Sequence, residues 1–323
     1  MLRIHFDSDD LARVRVADAP DLLWETLLSL HVLQGTMGEV VFGAWRSRVR
    51  GRLDQSVRML MALTPPRGYS PDFLTPCTGA TELAAAVDAL LTTPKSALCT
   101  DLTLLACEQR LPPWASSLAR GDVDTLKELG AALRRYHTVA LEPHWSAISS
   151  QVRADRLRRG EDVLRGGVER LLATLHPSVR WRSPVLEVAY PVEQELHLGG
   201  RGLLLVPSMF CWQAPITLLD PARQPVLVYP VERNPSWSTG VGGARSTTAL
   251  LGRTRAAVLE AICGRPELTT TELAKEVGIS LAGASQHATV LRNSGLITTD
   301  RAGGTARHRP TPFGMTLLTV GAT

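Results

Sequence analysis

The sequence of 323 residues predicts an α+β chain in two parts: a mostly helical N-terminal domain with a small β-sheet, then a C-terminal module of short helices closed by a β-hairpin. Three observations lead there. Apolar residues recur at helical spacing through most of residues 20–175. Runs of β-forming residues, broken by proline and glycine, replace them over residues 181–231. The stretch NPSWSTGVGGARSTT, rich in Gly, Ser and Thr, then sets off a tail with its own helix start and stop signals. The expected boundaries are 1–233, a linker at 234–248, and 249–323.

In the N-terminal part, Ile4 and Phe6 alternate within a short first strand, and Pro20 opens a helix expected to be amphipathic, carrying Leu23, Trp24, Leu27 and Leu30. Val40, Val41 and Ala44 lead to a second helical stretch with Leu53, Val57, Leu60 and Met61, which Pro65 and Pro66 end. Further helices are predicted over 81–91, 96–109, 122–136 and 149–175, and strands over 185–190, 203–206 and 226–231. Gly199-Gly200-Arg201-Gly202 lies between His197-Leu198 and the apolar run at 203–206, so a hairpin is expected there. Its spacing matches no phosphate-binding glycine loop.

The tail is more explicit. Leu251, Val258, Leu259 and Ile262 share one face of a first helix, and Gly264 and Pro266 end it. Thr269 as N-cap, Glu272 three residues on, and Leu268 with Leu273 as an apolar staple make a complete helix start. Gly278 can take the left-handed C-cap conformation, and Ser280 can cap the next helix, which runs to about residue 294. Two helices joined by so short a turn form a helix-turn-helix. In the second, Ala284, Ala288 and Leu291 face inward, leaving Ala282, Ser285, Gln286, Thr289 and Arg292 or Asn293 on the outer face. Small and polar side chains there suit entry into a major groove, with Gln and Asn able to pair with adenine and Arg with guanine. Residues 296–301 and 306–309 flank Gly303-Gly304 as a hairpin on which Arg301, Arg307 and Arg309 alternate with His308 between. Such a basic hairpin is a wing placed to touch phosphates or the minor groove. Thr311 and Pro312 start a last helix with Phe313, Leu317 and Val320 on one side.

Composition sets the outer limits. Net charge is +4, of which residues 250–323, with eight basic and five acidic side chains, carry +3. This is the sign a duplex-binding module needs, though not a large excess. No run approaches the ~20 apolar residues of a membrane span, and the N-terminus lacks the pattern of a signal peptide, so a cytoplasmic, nucleoid-associated protein with no membrane partner is expected. Cys77, Cys99, Cys107, Cys211 and Cys263 are scattered and read as buried, reduced thiols.

The stretch TELAKEVGISLAGASQHATVLRNSGLITTDRAGGTARHRPTPFGMTLL resembles the winged-helix module of the ArsR-type repressor family, notably in Ser285-Gln286-His287, the exit LRNSGLI and the hairpin. LLWETLLSL and RGYSPDFLTP resemble the extension domain attached to such modules in some actinobacterial regulators. The metal-sensing members carry Cys-x-Cys in the first helix of the motif, where this chain has Leu273-Ala274-Lys275-Glu276-Val277, so the resemblance does not extend to arsenic or zinc sensing.

These readings converge on a sequence-specific regulator of transcription that binds a pseudo-palindromic operator in double-stranded DNA as a ligand-responsive homodimeric repressor. The expected DNA-contacting set is Ser280, Ala282, Ser285, Gln286, His287, Thr289, Arg292, Arg301, Arg307 and Arg309. Residues 1–233 would serve as effector or dimerisation domain, with the tryptophans and residues 207–212 as candidate walls for a small-molecule effector. No cofactor, metal or catalytic centre is expected. His137 and His144 lack further clustered ligands, and the arginines at 153, 156, 158, 159, 165 and 170 interleave with Asp155, Glu161, Asp162 and Glu169, as an ion-paired helix would. The rival reading is an enzyme, such as a small-molecule methyltransferase that uses a winged helix for dimerisation. Against it, the module comes last and no glycine-rich nucleotide loop follows a strand.

Overall fold

The computed structural model describes residues 1–76, 80, 82–233, 237, 250–302, 305–315 and 317, with backbone alone at 253, 301 and 302. The chain divides into two compact units, Met1–Pro235 and Ser236–Thr323. Of the stretch 234–248, only Trp237 is among the described residues, and it is buried.

The larger unit contains two sheets rather than the single one expected. Strand β1 (Leu2–His5) is central in the first, because Leu2 and Ile4 point into an apolar cluster and both edges are paired. It runs antiparallel to β4 (Val185–Val188) and parallel to β5 (Gln194–His197), with β3 (Val179–Arg182) outside β4. The second sheet is parallel throughout, in the order β2 (Arg15–Val16), β6 (Leu204–Ser208), β7 (Val226–Pro230). All of β7 is buried, the unbroken apolar pattern expected of a covered parallel strand.

The 199–202 hairpin is therefore a misreading. The strands on either side of it, β5 and β6, belong to different sheets. The glycines instead let the chain cross between sheets. Gly199, Gly200 and Gly202 all have positive φ, and a Cβ at Gly202 would sit 2.5 Å from the Arg13 carbonyl oxygen.

Nine helices precede β3 among the described residues: α1 (Ser8–Ala12), α2 (Leu22–Gln34), α3 (Glu39–Arg50), α4 (Arg58–Leu63), α5 (Leu83–Leu91), α6 (Lys95–Glu108), α7 (Trp114–Ala119), α8 (Val123–Ala140) and α9 (Trp145–Ala173). The expected amphipathic α2 is buried on every side, with only His31 and Gln34 partly exposed. Its hydroxyls are satisfied internally, the Thr26 hydroxyl donating to the Leu22 carbonyl and Ser29 Oγ lying 2.8 Å from the Tyr136 hydroxyl, whereas the buried Trp24 indole N–H has no partner among the described residues. Helix α9, expected to be continuous, is broken by non-helical backbone at Gly166 and Gly167, the latter at φ 68. Five of its six arginines are ion-paired, Arg156 to Asp18, Arg158 and Arg159 to Asp155, Arg165 to Glu161 and Arg170 to Asp162, while Arg153 is exposed. Tyr229 donates to Asp155 at 2.6 Å, which ties α9 to β7. No helix among the described residues is long and apolar enough to cross a membrane.

Candidate nucleic-acid interface

The smaller unit is built from α10 (Arg253–Gly264), β8 (Leu268–Thr269), α11 (Thr270–Val277), α12 (Leu281–Asn293), β9 (Ile297–Ala302) and β10 (Thr305–Pro310). Val258, Leu259 and Ile262 of α10 meet Leu273 of α11, Ala288 and Leu291 of α12, and Leu268, Leu296 and Ile297 in one core. The local signals act as the residue types require. Thr269 accepts from the Glu272 amide while the Glu272 carboxylate accepts from the Thr269 amide and hydroxyl, and the two bonds to the carboxylate hold it below its usual range, with Arg265 and Arg307 adding to the effect. Thr269→Ala should therefore cost about 1 kcal/mol in this unit, read as a lower denaturant midpoint. Gly278 ends α11 at φ 70, and Ser280 caps α12 by accepting from the Gly283 amide.

The arrangement turns one face of α12 outward. Ala284, Ala288 and Leu291 are buried, whereas Ala282, Ser285, Gln286, Thr289 and Asn293 are exposed. Among the described residues, no hydrogen bond occupies the side chains of Ser285, Gln286 or Thr289, so their polar groups are available to a base edge. Ser280 is exposed but engaged in its cap, and His287 and Arg292 are half-buried.

On the hairpin, β9 and β10 pair antiparallel, with Asp300 opposite Arg307, Thr299 opposite His308 and Thr298 opposite Arg309. Arg307 and Arg309 are exposed on one face. Arg301 pairs with Ala306 and so stands out of phase with that row; its side chain and Gly303-Gly304 lie outside the described residues. His308 is not part of the basic surface. It is buried, with Nδ1 3.0 Å from the Thr299 hydroxyl and Nε2 3.0 Å from the Thr270 hydroxyl, and burial and then Arg292 hold its imidazole below the usual range. A neutral clamp between the hairpin and α11 is its role. The strict alternation Arg307-His308-Arg309 carried this signal, since exposing both arginines turns the residue between them inward.

The acidic partners were missed in the sequence. Arg309 meets Glu267 at 2.7 Å and Asp300 at 3.3 Å, Arg307 donates to the Glu267 carbonyl, and Arg265 pairs with Glu272 and Glu276. The hairpin register sets Asp300 opposite Arg307, so its contact with Arg309 is a diagonal one across the two strands, and the Glu267 contact depends on β8 joining the sheet. The terminal helix is present over residues 312–315, where Phe313 is exposed rather than packed, Leu317 meets the core, and Val320 lies outside the described residues.

In the larger unit, the candidate effector walls are packed against one another. Phe210 stacks on Phe42 at 5.4 Å and lies against Trp45 at 4.8 Å, while Trp212 meets Phe42 edge-on and approaches Gly38. Arg233 lies over Trp212 and Phe42 and donates to the Met209 and Cys211 carbonyls. Below them sits Glu25, wholly buried in α2, which accepts from the Ser208 hydroxyl and the Met209 and Phe210 amides. Burial pushes its carboxyl up to about 7 despite those donors and Arg233. Trp24 and Trp181 are also packed, the latter edge-on to Phe6. His137 is buried beside Trp145, and among the described residues no three His, Cys, Asp or Glu side chains are grouped to hold a metal ion.

A helix-turn-helix with a capped, outward polar second helix and a two-stranded basic wing is a winged-helix module of the DNA-binding class. The model of the MarR family matches residues 251–308, the segment that forms this module, and supports a winged-helix, DNA-binding regulator of transcription. No curated protein and no solved structure matches the chain.

Proposed function

We propose that the chain is a dimeric, ligand-responsive repressor that binds a pseudo-palindromic operator in double-stranded DNA, with its module used in the ArsR-like manner. Helix α12 enters the major groove, where Gln286, Thr289 and Ser285 read base edges and Ala282 permits close approach. Ser280, His287 and Arg292 sit at its margins, and Arg301, Arg307 and Arg309 grip the flanking backbone. Two copies would place these helices in half-sites one or two helical turns apart, ~34 Å or twice that. Residues 1–233 would hold the effector or dimer contacts, and 234–248 would link them to 249–323. The observation that carries this reading is the exposed, unengaged polar face of α12 in a module whose wing presents Arg307 and Arg309 outward.

Selection of bound fragments from the host genome with the full chain, followed by footprinting at fixed salt, tests it. Protected half-sites spaced by whole turns are expected. Indifference to duplex, together with thermal stabilisation by S-adenosylmethionine, would favour the methyltransferase reading instead.

A further inference from the structure

We infer that Glu267 is a positioning residue for the wing: it clamps both outward arginines of β10 in the free protein, so that a DNA phosphate binds them only by opening the clamp. This rests on the reading of the module as a duplex-binding surface. Glu267 stands between α10 and β8 at φ 76, one of two described non-glycine residues with positive φ, a conformation that Gly or Asn fills more easily. Its amide donates to the His308 carbonyl at 2.9 Å, extending the β8 to β10 ladder beyond the Leu268 and His308 pair. That extra rung sets the residue beside the arginine row.

From there its two acceptors serve two arginines. The carboxylate takes Arg309 at 2.7 Å, and the backbone carbonyl takes Arg307 at 3.4 Å. Asp300 approaches Arg309 from the neighbouring strand at 3.3 Å, so this guanidinium lies between two carboxylates. Arg309 and Glu267 are about half exposed, at 52% and 51%. An ion pair in that setting is weak enough for a phosphodiester, a second anion of matching geometry, to replace it. The wing is thus partly neutralised until a duplex is close, which lowers its hold on any phosphate backbone.

The test uses the full chain, with duplex binding measured across a salt series. Glu267→Gly and Glu267→Gln both remove the carboxylate, and the glycine variant also suits the backbone at this position, so its melting temperature should not fall. Both are expected to bind duplex about two- to fivefold more tightly, the scale of one exposed ion pair. The salt slope should stay within a fraction of a unit of the unmodified chain, because the same phosphates are contacted. In an Arg309→Ala background the gain should vanish, since the Glu267 carboxylate then holds no arginine and the carbonyl that takes Arg307 is the same in every variant. Unchanged affinity in both variants, or a gain that persists undiminished without Arg309, would overturn the clamp while leaving duplex binding intact. Failure of the unmodified chain to bind any duplex would instead remove the functional reading on which the clamp rests.

Discussion

Replacing Arg307 and Arg309 together by alanine is expected to weaken binding to every duplex, selected or random, by about 10²-fold near 0.1 M salt. A hydrogen bond from a charged donor contributes about 1.5 kcal/mol, and two are lost. The log–log salt dependence should become shallower by about 1.8, as each phosphate contact contributes about 0.9. Preference among sequences should persist, because base reading is assigned to α12 and not to the wing. Arg309 must leave Glu267 and Asp300 before it reaches a phosphate, so its single replacement should cost less than that of Arg307. Fluorescence anisotropy with one duplex at five salt concentrations measures all of this. An unaltered slope in the double variant would remove the wing from the interface.

A second large effect concerns pH and the larger unit. Burial raises Glu25 to about 7 from an ordinary 4.5 and lowers His31, whose Nε2 meets the Ser70 hydroxyl at 2.9 Å, to about 4 from 6.5. The folded chain holds the Glu25 proton more tightly than the unfolded chain, so this stabilisation is complete below pH 4.5 and is lost as pH rises through 7. His31 is the reverse: its contribution is present above pH 6.5 and is lost as pH falls toward 4. Between pH 4.5 and 6.5 the two slopes oppose, each about 1.4 kcal/mol per pH unit at most. His31→Asn should therefore expose a loss of stability of roughly 2–3 kcal/mol, relative to the unmodified chain, as pH rises across that window. Glu25→Gln should show the opposite difference, on top of a pH-independent loss of roughly 2–4 kcal/mol from an amide N–H set against donors at Ser208, Met209 or Phe210. Denaturant unfolding at several pH values reads these differences. Curves parallel to that of the unmodified chain would contradict the assignment.

The parts of the molecule that the sequence made plain are those settled by neighbours in the chain. Thr269 and Glu272 close their box over three residues, Gly278 and Ser280 fix the turn, and α12 buries the three residues its periodicity marked. The outward set at Ala282, Ser285, Gln286 and Thr289 follows from the same period. What escaped depends on distant partners. Nothing in LLWETLLSL singles out Glu25, because its three donors lie more than 180 residues away. The glycine run at 199–202 carried turn chemistry without saying which strands would pair: β5 before it joins β1, and β6 after it joins β2 and β7. Gly166 and Gly167 sit within helical spacing, yet their freedom breaks the helix there. Glu267 was invisible as a clamp because only the joining of β8 to β10 brings it to Arg309.

The central claim is that α12 reads bases while the wing holds the backbone, and one comparison tests both halves. Gln286→Ala with Thr289→Ala, against the unmodified chain, is measured on a selected duplex and a scrambled one across a salt series. Loss of roughly 1–3 kcal/mol of discrimination per bidentate base contact, with the scrambled duplex bound as before and the salt slope unchanged, is the predicted result. Equal discrimination with and without these side chains would contradict it.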